Sequence, residues 1–176
     1  MPTSPVPAAR RTWRPGPLAV PAVVAGVVPT VLGGLLPGPP LPLPPAAGVP
    51  AGVGLVLLGA CLTADAVDRV YLRQATPLGD LPPEYLVTGG GYRFVRNPMA
   101  AGMTLLLLGE SLLWSAPAVA GWAAVVLGVS FAAARRVEEP SLLKTFGEEY
   151  GRYRRSTPAW LPYPRPSRTA APNSEV

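Results

Sequence analysis

Histidine is absent from the 176-residue chain, cysteine occurs once, and charged residues make up only 14% of it. The missing histidine excludes imidazole acid–base catalysis and imidazole metal ligands. The single cysteine, Cys61, excludes an internal disulfide and any Cys-x-x-Cys metal site, and no metal site is expected. A soluble domain usually carries roughly 25% charged residues, so the composition points away from that class.

Charge is absent from two long runs of the sequence. No charged side chain lies between Arg14 and Asp65, and Glu110 is the only one between Arg96 and Arg135. Uncharged apolar runs of about 18 residues or more are typical of transmembrane helices. We therefore predict an all-α integral membrane protein with about four transmembrane helices. The predicted spans cover residues 18–36, 51–70, 98–115 and 118–136.

The remaining segments follow from proline and from polarity. Residues 37–50 are rich in proline and carry no charge, which predicts a non-helical connection outside the cytoplasm. Residues 1–16 are predicted to form a cytoplasmic arm, residues 17–162 a single domain and residues 163–176 a disordered tail. A charged start followed by an apolar run is also typical of a cleavable signal peptide, and that alternative stays open.

The formal net charge of +5 does not form a single basic patch. With four spans, every Lys and Arg falls on one side of the membrane, as the positive-inside rule expects of the cytoplasmic face. Both termini are then cytoplasmic, and nucleic-acid binding is not expected. The Ala/Pro/Arg-rich composition indicates a bacterial cytoplasmic membrane, with the lipid bilayer as the first partner.

The end of the domain has helical periodicity. Apolar and aromatic side chains recur there at Leu142, Leu143, Phe146, Tyr150 and Tyr153, which predicts one amphipathic cytoplasmic helix over about residues 140–155. Pro140 is expected to separate this helix from the fourth span.

The segment YRFVRNPMAAG, residues 92–102, contains the first candidate site. Asn97 is a favoured N-cap and Pro98 a favoured first helical residue, so the third span is predicted to start here. A helix N-terminus attracts anions, Arg93 and Arg96 add two cations, and the small residues 100–102 leave room for close approach. The segment is either the polar collar of a membrane helix or a site for an anionic ligand.

Two adjacent acids, Glu138 and Glu139, follow the fourth span and face the same layer as that segment. Acids at a membrane boundary need a partner. That partner is either an arginine, at position 96, 135 or 136, or a ligand that presents an ammonium group or ribose hydroxyls. Glu110, inside the third span, is expected to face the bundle and to contact Thr63 or Ser130.

Three stretches together resemble a known family: LVTGGGYRFVRNPMAAG, the GES of the following span, and RRVEEPSLLKTFGEEYGRYRRSTPAWLP. They are similar to the integral-membrane methyltransferases related to isoprenylcysteine carboxyl methyltransferase and the phospholipid methyltransferases. The resemblance covers about residues 82–162 in the expected order and spacing. It implies a small helical membrane bundle whose cytoplasmic mouth and C-terminal helix enclose S-adenosylmethionine.

The resemblance also implies an activity and a set of residues. The activity is methyl transfer to a lipophilic or small membrane-permeable acceptor, through a carboxylate, an amine or a thiol. Glu139 is a candidate for acid–base work on an amine or thiol. The family tyrosine is replaced by Ala100, so a non-catalytic membrane scaffold or small-molecule binder is the alternative. The implied cofactor-binding residues are Tyr92, Arg93, Arg96, Asn97, Pro98, Ala100, Gly102, Glu138 and Glu139.

Overall fold

The computed structural model describes residues 23–36, 38–74 and 84–162. Within these ranges the chain is helical and forms no strand, so the predicted all-α class is confirmed for this part. The arm and the tail predicted at the two termini lie outside the described residues. The helices are α1 (Val28–Leu35), α2 (Pro45–Val67), α3 (Pro98–Trp114), α4 (Pro117–Ala133), α5 (Glu139–Phe146) and α6 (Glu148–Ser156).

Two helical segments, Pro45–Leu72 and Pro117–Phe146, are long and apolar enough to cross a membrane, with 28 and 30 residues. Two further apolar helices, Val23–Leu35 and Pro98–Trp114, are shorter. The long segments expose large apolar side chains, since Leu57 is 61% and Val129 64% exposed. Apolar surface of this extent is expected where lipid or another protein covers it.

Prolines fix where the helices begin. Pro45, Pro98 and Pro117 each occupy the first position of a helix, where the missing N–H has no intrahelical partner to lose. The prediction of a non-helical connection through residue 50 is therefore wrong at its end. Helix α2 already starts at Pro45 and contains Pro50, whose missing N–H removes a single hydrogen bond.

The predicted break at Pro140 is also wrong. The chain continues from α4 through a π-helical turn, Ala134–Glu138, into α5, where Pro140 lies in the first turn. The wider turn relieves the backbone beside a residue that lacks an N–H. The helix ends instead at Gly147, whose backbone angles (φ 51°, ψ −121°) are open to glycine and strained for other residues. The single helix predicted over residues 140–155 is therefore two helices, α5 and α6.

Glycine pairs bring α2 and α3 into backbone contact. A Cβ added to Gly59 would lie 2.5 Å from the carbonyl oxygen of Gly102, and one added to Gly109 would lie 2.7 Å from that of Gly52. On each helix the two glycines lie seven residues apart, which is about two turns, so both lie on the same face. The contact therefore fixes the register of the antiparallel α2–α3 pair.

The two ends of the bundle differ in charge. At one end, the backbone N–H of Leu41 donates to Ser115 Oγ at 2.9 Å, which joins the uncharged connection before α2 to the α3–α4 turn. Apart from Glu110, the charged residues of the described part occur in segments that meet at the opposite end, around Asp65, Arg96 and Glu139. Between the ends, α4 packs on α3 through a core of Leu107, Ala116, Val119, Ala123 and Val126.

The glycine contact generates a stability prediction. Gly59→Ala should lower the midpoint of thermal unfolding in detergent, because the methyl group would force two backbones apart at a cost of about 1–3 kcal/mol. Gly54→Ala, on the same helix with nothing within 4 Å of its Cβ position, is the matched control. It should raise the midpoint slightly, since alanine favours helix by about 1 kcal/mol. Equal midpoints for the two variants would contradict the proposed packing constraint.

Candidate functional site

The sequence predicts an anion site at the N-terminus of α3. Asn97 occupies the N-cap position, but its side chain does not cap the helix. Its amide instead donates to the carbonyl oxygen of Ala159 at 3.2 Å, and the backbone N–H of Arg96 donates to that of Pro158 at 2.8 Å. The segment after α6 therefore covers the residues just before α3.

An ion pair links this helix start to the paired acids. Arg96 Nη1 donates to Glu139 Oε1 at 2.6 Å, and the two side chains are only 13% and 14% exposed. The same nitrogen lies 3.3 Å from the hydroxyl of Tyr150, and Glu139 Oε2 lies 3.6 Å from Arg154 Nη2. Burial raises the pKa of the Tyr150 phenol, and the hydrogen bond from Arg96 opposes that rise. Of the partners predicted for Glu139, the ion pair with Arg96 is confirmed.

The two neighbouring acids have different surroundings. Glu139 is held between Arg96 and Arg154, whereas no hydrogen bond or ion pair engages the Glu138 carboxylate within the described part of the chain. Glu138 is close enough to Tyr92 to act on it electrostatically. Among the residues that the structure describes, the buried Nε of Arg96 also has no hydrogen-bond partner. The site therefore offers one unpaired acceptor group and one unsatisfied donor.

A 3₁₀ turn, Gly90–Arg93, carries the first two candidate residues. The carbonyl oxygen of Tyr92 accepts a hydrogen bond from the Tyr153 hydroxyl at 2.7 Å. Burial raises the pKa of the Tyr92 phenol far above its usual value, and Tyr71, Tyr153 and Glu138 add to the rise. The Arg93 guanidinium lies over the Phe94 ring, 5.4 Å from its centroid.

Three candidate residues of α3, Pro98, Ala100 and Gly102, are engaged in contacts within the bundle. Gly102 faces α2, where an added Cβ would lie 2.6 Å from Thr63 Oγ1. Pro98 is fully buried, and the Ala100 carbonyl accepts a hydrogen bond from Thr104 Oγ1 at 2.8 Å. At Gly102, the room predicted for a ligand is therefore occupied by the neighbouring helix.

The expected partners of Glu110 are wrong. No hydrogen bond joins it to Thr63 or Ser130, and Glu110 Oε2 and Thr63 Oγ1 are both buried without a partner in the described residues. Thr63 lies beside Gly102, which is eight residues, or about 12 Å, from Glu110 along α3. The two groups are thus at different depths of the bundle.

Several residues that build this end are not among the predicted site residues. Asp65 binds the glycine turn through the N–H of Gly91 at 2.8 Å, and its position as the first charge after a long apolar run is a signal that could have identified it. Helical periodicity identifies Tyr150 and Tyr153 only as parts of an apolar face and gives no sign of the contacts that their hydroxyl groups make. The carbonyl oxygens of Pro158 and Ala159 carry no sequence signal, because every residue has one.

The buried ion pair generates a second prediction. Glu139→Ala should lower the free energy of unfolding by about 3–5 kcal/mol, because it leaves the Arg96 charge buried without a partner. Arg154→Ala removes only the longer contact from a side chain that is 53% exposed, so its effect should stay within about 1 kcal/mol. Denaturant unfolding in detergent measures both variants, and similar losses would show that the pair does not carry this stability.

Comparison with known proteins bears on the same segments. The family model described as phospholipid methyltransferase matches residues 48–149, which is more than half of the 176-residue chain. The matched region includes the glycine turn, the start of α3, and both Arg96 and Glu139. No curated protein and no solved structure matches the chain. On the extent of that match, and in agreement with the resemblance seen in the sequence, the chain belongs to the phospholipid methyltransferase family.

Proposed function

We propose that the protein transfers a methyl group from S-adenosylmethionine to a lipophilic or small membrane-permeable acceptor. The observation that carries this proposal is the buried Arg96–Glu139 ion pair, 2.6 Å long. It joins the two segments to which the resemblance assigns the cofactor, although they lie 43 residues apart. Membership of the phospholipid methyltransferase family supports methyl transfer as the reaction class.

The residues at the charged end fit the chemical groups of this cofactor. A buried N–H without an acceptor costs free energy, and a carboxylate beside Arg96 Nε would satisfy it. Glu138 can accept hydrogen bonds from an ammonium group or from ribose hydroxyls, because no hydrogen bond or ion pair engages it within the described ranges. When bound, the cofactor supplies an electrophilic methyl group on a sulfonium. The nearby phenol of Tyr92 stays neutral at physiological pH, since burial raises its pKa.

The two acids would then have different tasks. Glu139 is held by Arg96 and approached by Arg154, so it positions the helices. Glu138 is the better candidate for accepting a proton from an amine or thiol acceptor, although the resemblance alone pointed to Glu139 for that task. A carboxylate acceptor would need no base, because it is already ionised at neutral pH.

Access from the bilayer follows from the proposed topology. We place four helices in the membrane, with the shorter segments Val23–Leu35 and Pro98–Trp114 beside the two long ones. Helix α3 has 17 residues and is therefore about 25 Å long, close to the thickness of the hydrocarbon core. The charged end and both termini would face the cytoplasm, where the cofactor is made, and a lipophilic acceptor would arrive laterally.

Cofactor binding gives the direct test. Purified protein in detergent should bind radiolabelled S-adenosylmethionine saturably, and Glu138→Gln should weaken binding by about tenfold or more, as expected for a lost charged hydrogen bond. Glu149→Gln, a substitution of another exposed acid, should bind like the wild type.

The same preparation, given membrane lipid extract, should move the radiolabelled methyl group into a lipophilic product. No binding by well-folded wild-type protein would contradict the proposal. Equal binding by the Glu138→Gln and Glu149→Gln variants would remove Glu138 from the site.

Two features favour a second candidate function, a non-catalytic binder or scaffold that keeps the family fold. Ala100 stands where the family has tyrosine, and Arg96 and Glu139 already form an ion pair without a ligand. Under the enzyme proposal, Ala100→Tyr should tighten cofactor binding, because it restores a group that packs against the cofactor.

The matched control for this substitution is Ala101→Tyr, one position along the same helix. It turns the new ring about 100° away and should give no gain in affinity. Cofactor binding that neither variant improves, together with no product from lipid extract, would favour the scaffold.

A further inference from the structure

The glycine turn is anchored to α2 by a side chain outside the resemblance. We propose that Asp65 is a positioning residue for the cofactor site. It holds the turn Gly90–Arg93, and so keeps Tyr92 near Glu138. This inference rests on the proposed function for the identity of the ligand. It assigns to the cytoplasmic end of α2 a task in the site beyond that of a membrane span.

Both carboxylate oxygens of Asp65 accept hydrogen bonds, one from the turn and one from Arg69. Oδ2 accepts the backbone N–H of Gly91 at 2.8 Å, and Oδ1 accepts Arg69 Nε at 2.7 Å. Gly90 lies directly against this pair with φ 60°, and a Cβ there would collide with Arg69 Nε and Asp65 Oδ2. The turn therefore contacts α2 through backbone atoms, and only glycine, which has no Cβ, fits at position 90.

The opposite side of the turn is held by α6. The Tyr153 hydroxyl donates to the carbonyl oxygen of Tyr92 at 2.7 Å. Within the turn, the backbone N–H groups of Phe94 and Val95 donate to the carbonyl oxygen of Gly91 at 3.1 and 3.2 Å. A loss of the Asp65 anchor would therefore displace Tyr92, while Tyr153 would still tether its carbonyl.

Arg96 has separate anchors. Its side chain binds Glu139, and its backbone N–H donates to the carbonyl oxygen of Pro158 at 2.8 Å. A change at Asp65 should consequently disturb the turn without breaking the Arg96–Glu139 pair. This separation distinguishes a positioning effect from a general loss of fold.

A second ion pair on the same helical segment supplies the control. Asp68 Oδ2 accepts Arg73 Nε at 2.6 Å, and both side chains are exposed. This pair resembles Asp65–Arg69 in chemistry and in place along the chain, but no contact joins it to the glycine turn in the described residues. Replacement of Asp68 therefore removes one carboxylate and one ion pair and leaves the turn in place.

The experiment compares Asp65→Ala, Asp65→Asn and Asp68→Ala in the full-length protein in detergent. Hydrogen exchange followed by mass spectrometry reports the amides of residues 90–95 without cofactor, and equilibrium binding of radiolabelled S-adenosylmethionine reports the site. Asp65→Ala should speed exchange in residues 90–95 and weaken cofactor binding, each by about tenfold, the value of one hydrogen bond to a charged group. Asp68→Ala should match the wild type in both measurements.

Asp65→Asn keeps an oxygen that can accept the Gly91 N–H, so it should restore most of the exchange protection and part of the affinity, even if the alanine variant folds poorly. Binding by both Asp65 variants that equals binding by Asp68→Ala would overturn the positioning role and leave the proposed function intact. Wild-type protein that binds no cofactor would overturn the proposed function and the role together, whatever the exchange rates.

Discussion

The charged end of this bundle depends on one buried ion pair, Arg96–Glu139. Water is largely excluded from both side chains, so neither charge can lose its partner without a large desolvation cost. The pair joins the start of α3 to the start of α5, and Tyr150 and Arg154 attach α6 to the same two residues. Three helices therefore meet at this one buried ion pair.

The glycine contact between α2 and α3 determines the position of Asp65 at the candidate site, although the glycines lie deeper in the bundle. Gly59 lies against Gly102 near the charged end, so the register of the two helices determines where the end of α2 stands relative to the start of α3. Asp65 is six residues beyond Gly59 on α2, and that register is what brings it to the N–H of Gly91. A packing constraint in the apolar part of the bundle thus becomes a hydrogen bond at its polar end.

The sequence was sufficient where a pattern has one physical solution. Long uncharged runs predicted helices, the Asn97-Pro98 pair predicted the start of α3, and Arg96 was among the partners proposed for Glu139. It was insufficient where one pattern serves two purposes. A small residue such as Gly102 admits a ligand or a neighbouring helix equally well, and a favoured N-cap such as Asn97 can donate its amide elsewhere. The break at Gly147 was missed because periodicity continues across it, and only the backbone angles record the change of direction.

The unequal surroundings of the two acids bear on whether the chain is an enzyme. An ion-paired Glu139 stabilises the fold with or without a ligand, so its presence alone does not distinguish an enzyme from a scaffold. Glu138 is exposed and makes no hydrogen bond or ion pair within the described residues, so its carboxylate is available to a ligand. The Arg96–Glu139 pair brings the two segments together in an enzyme and in a scaffold alike. The two functions therefore differ most at Glu138, where only a ligand would supply a partner within the described residues.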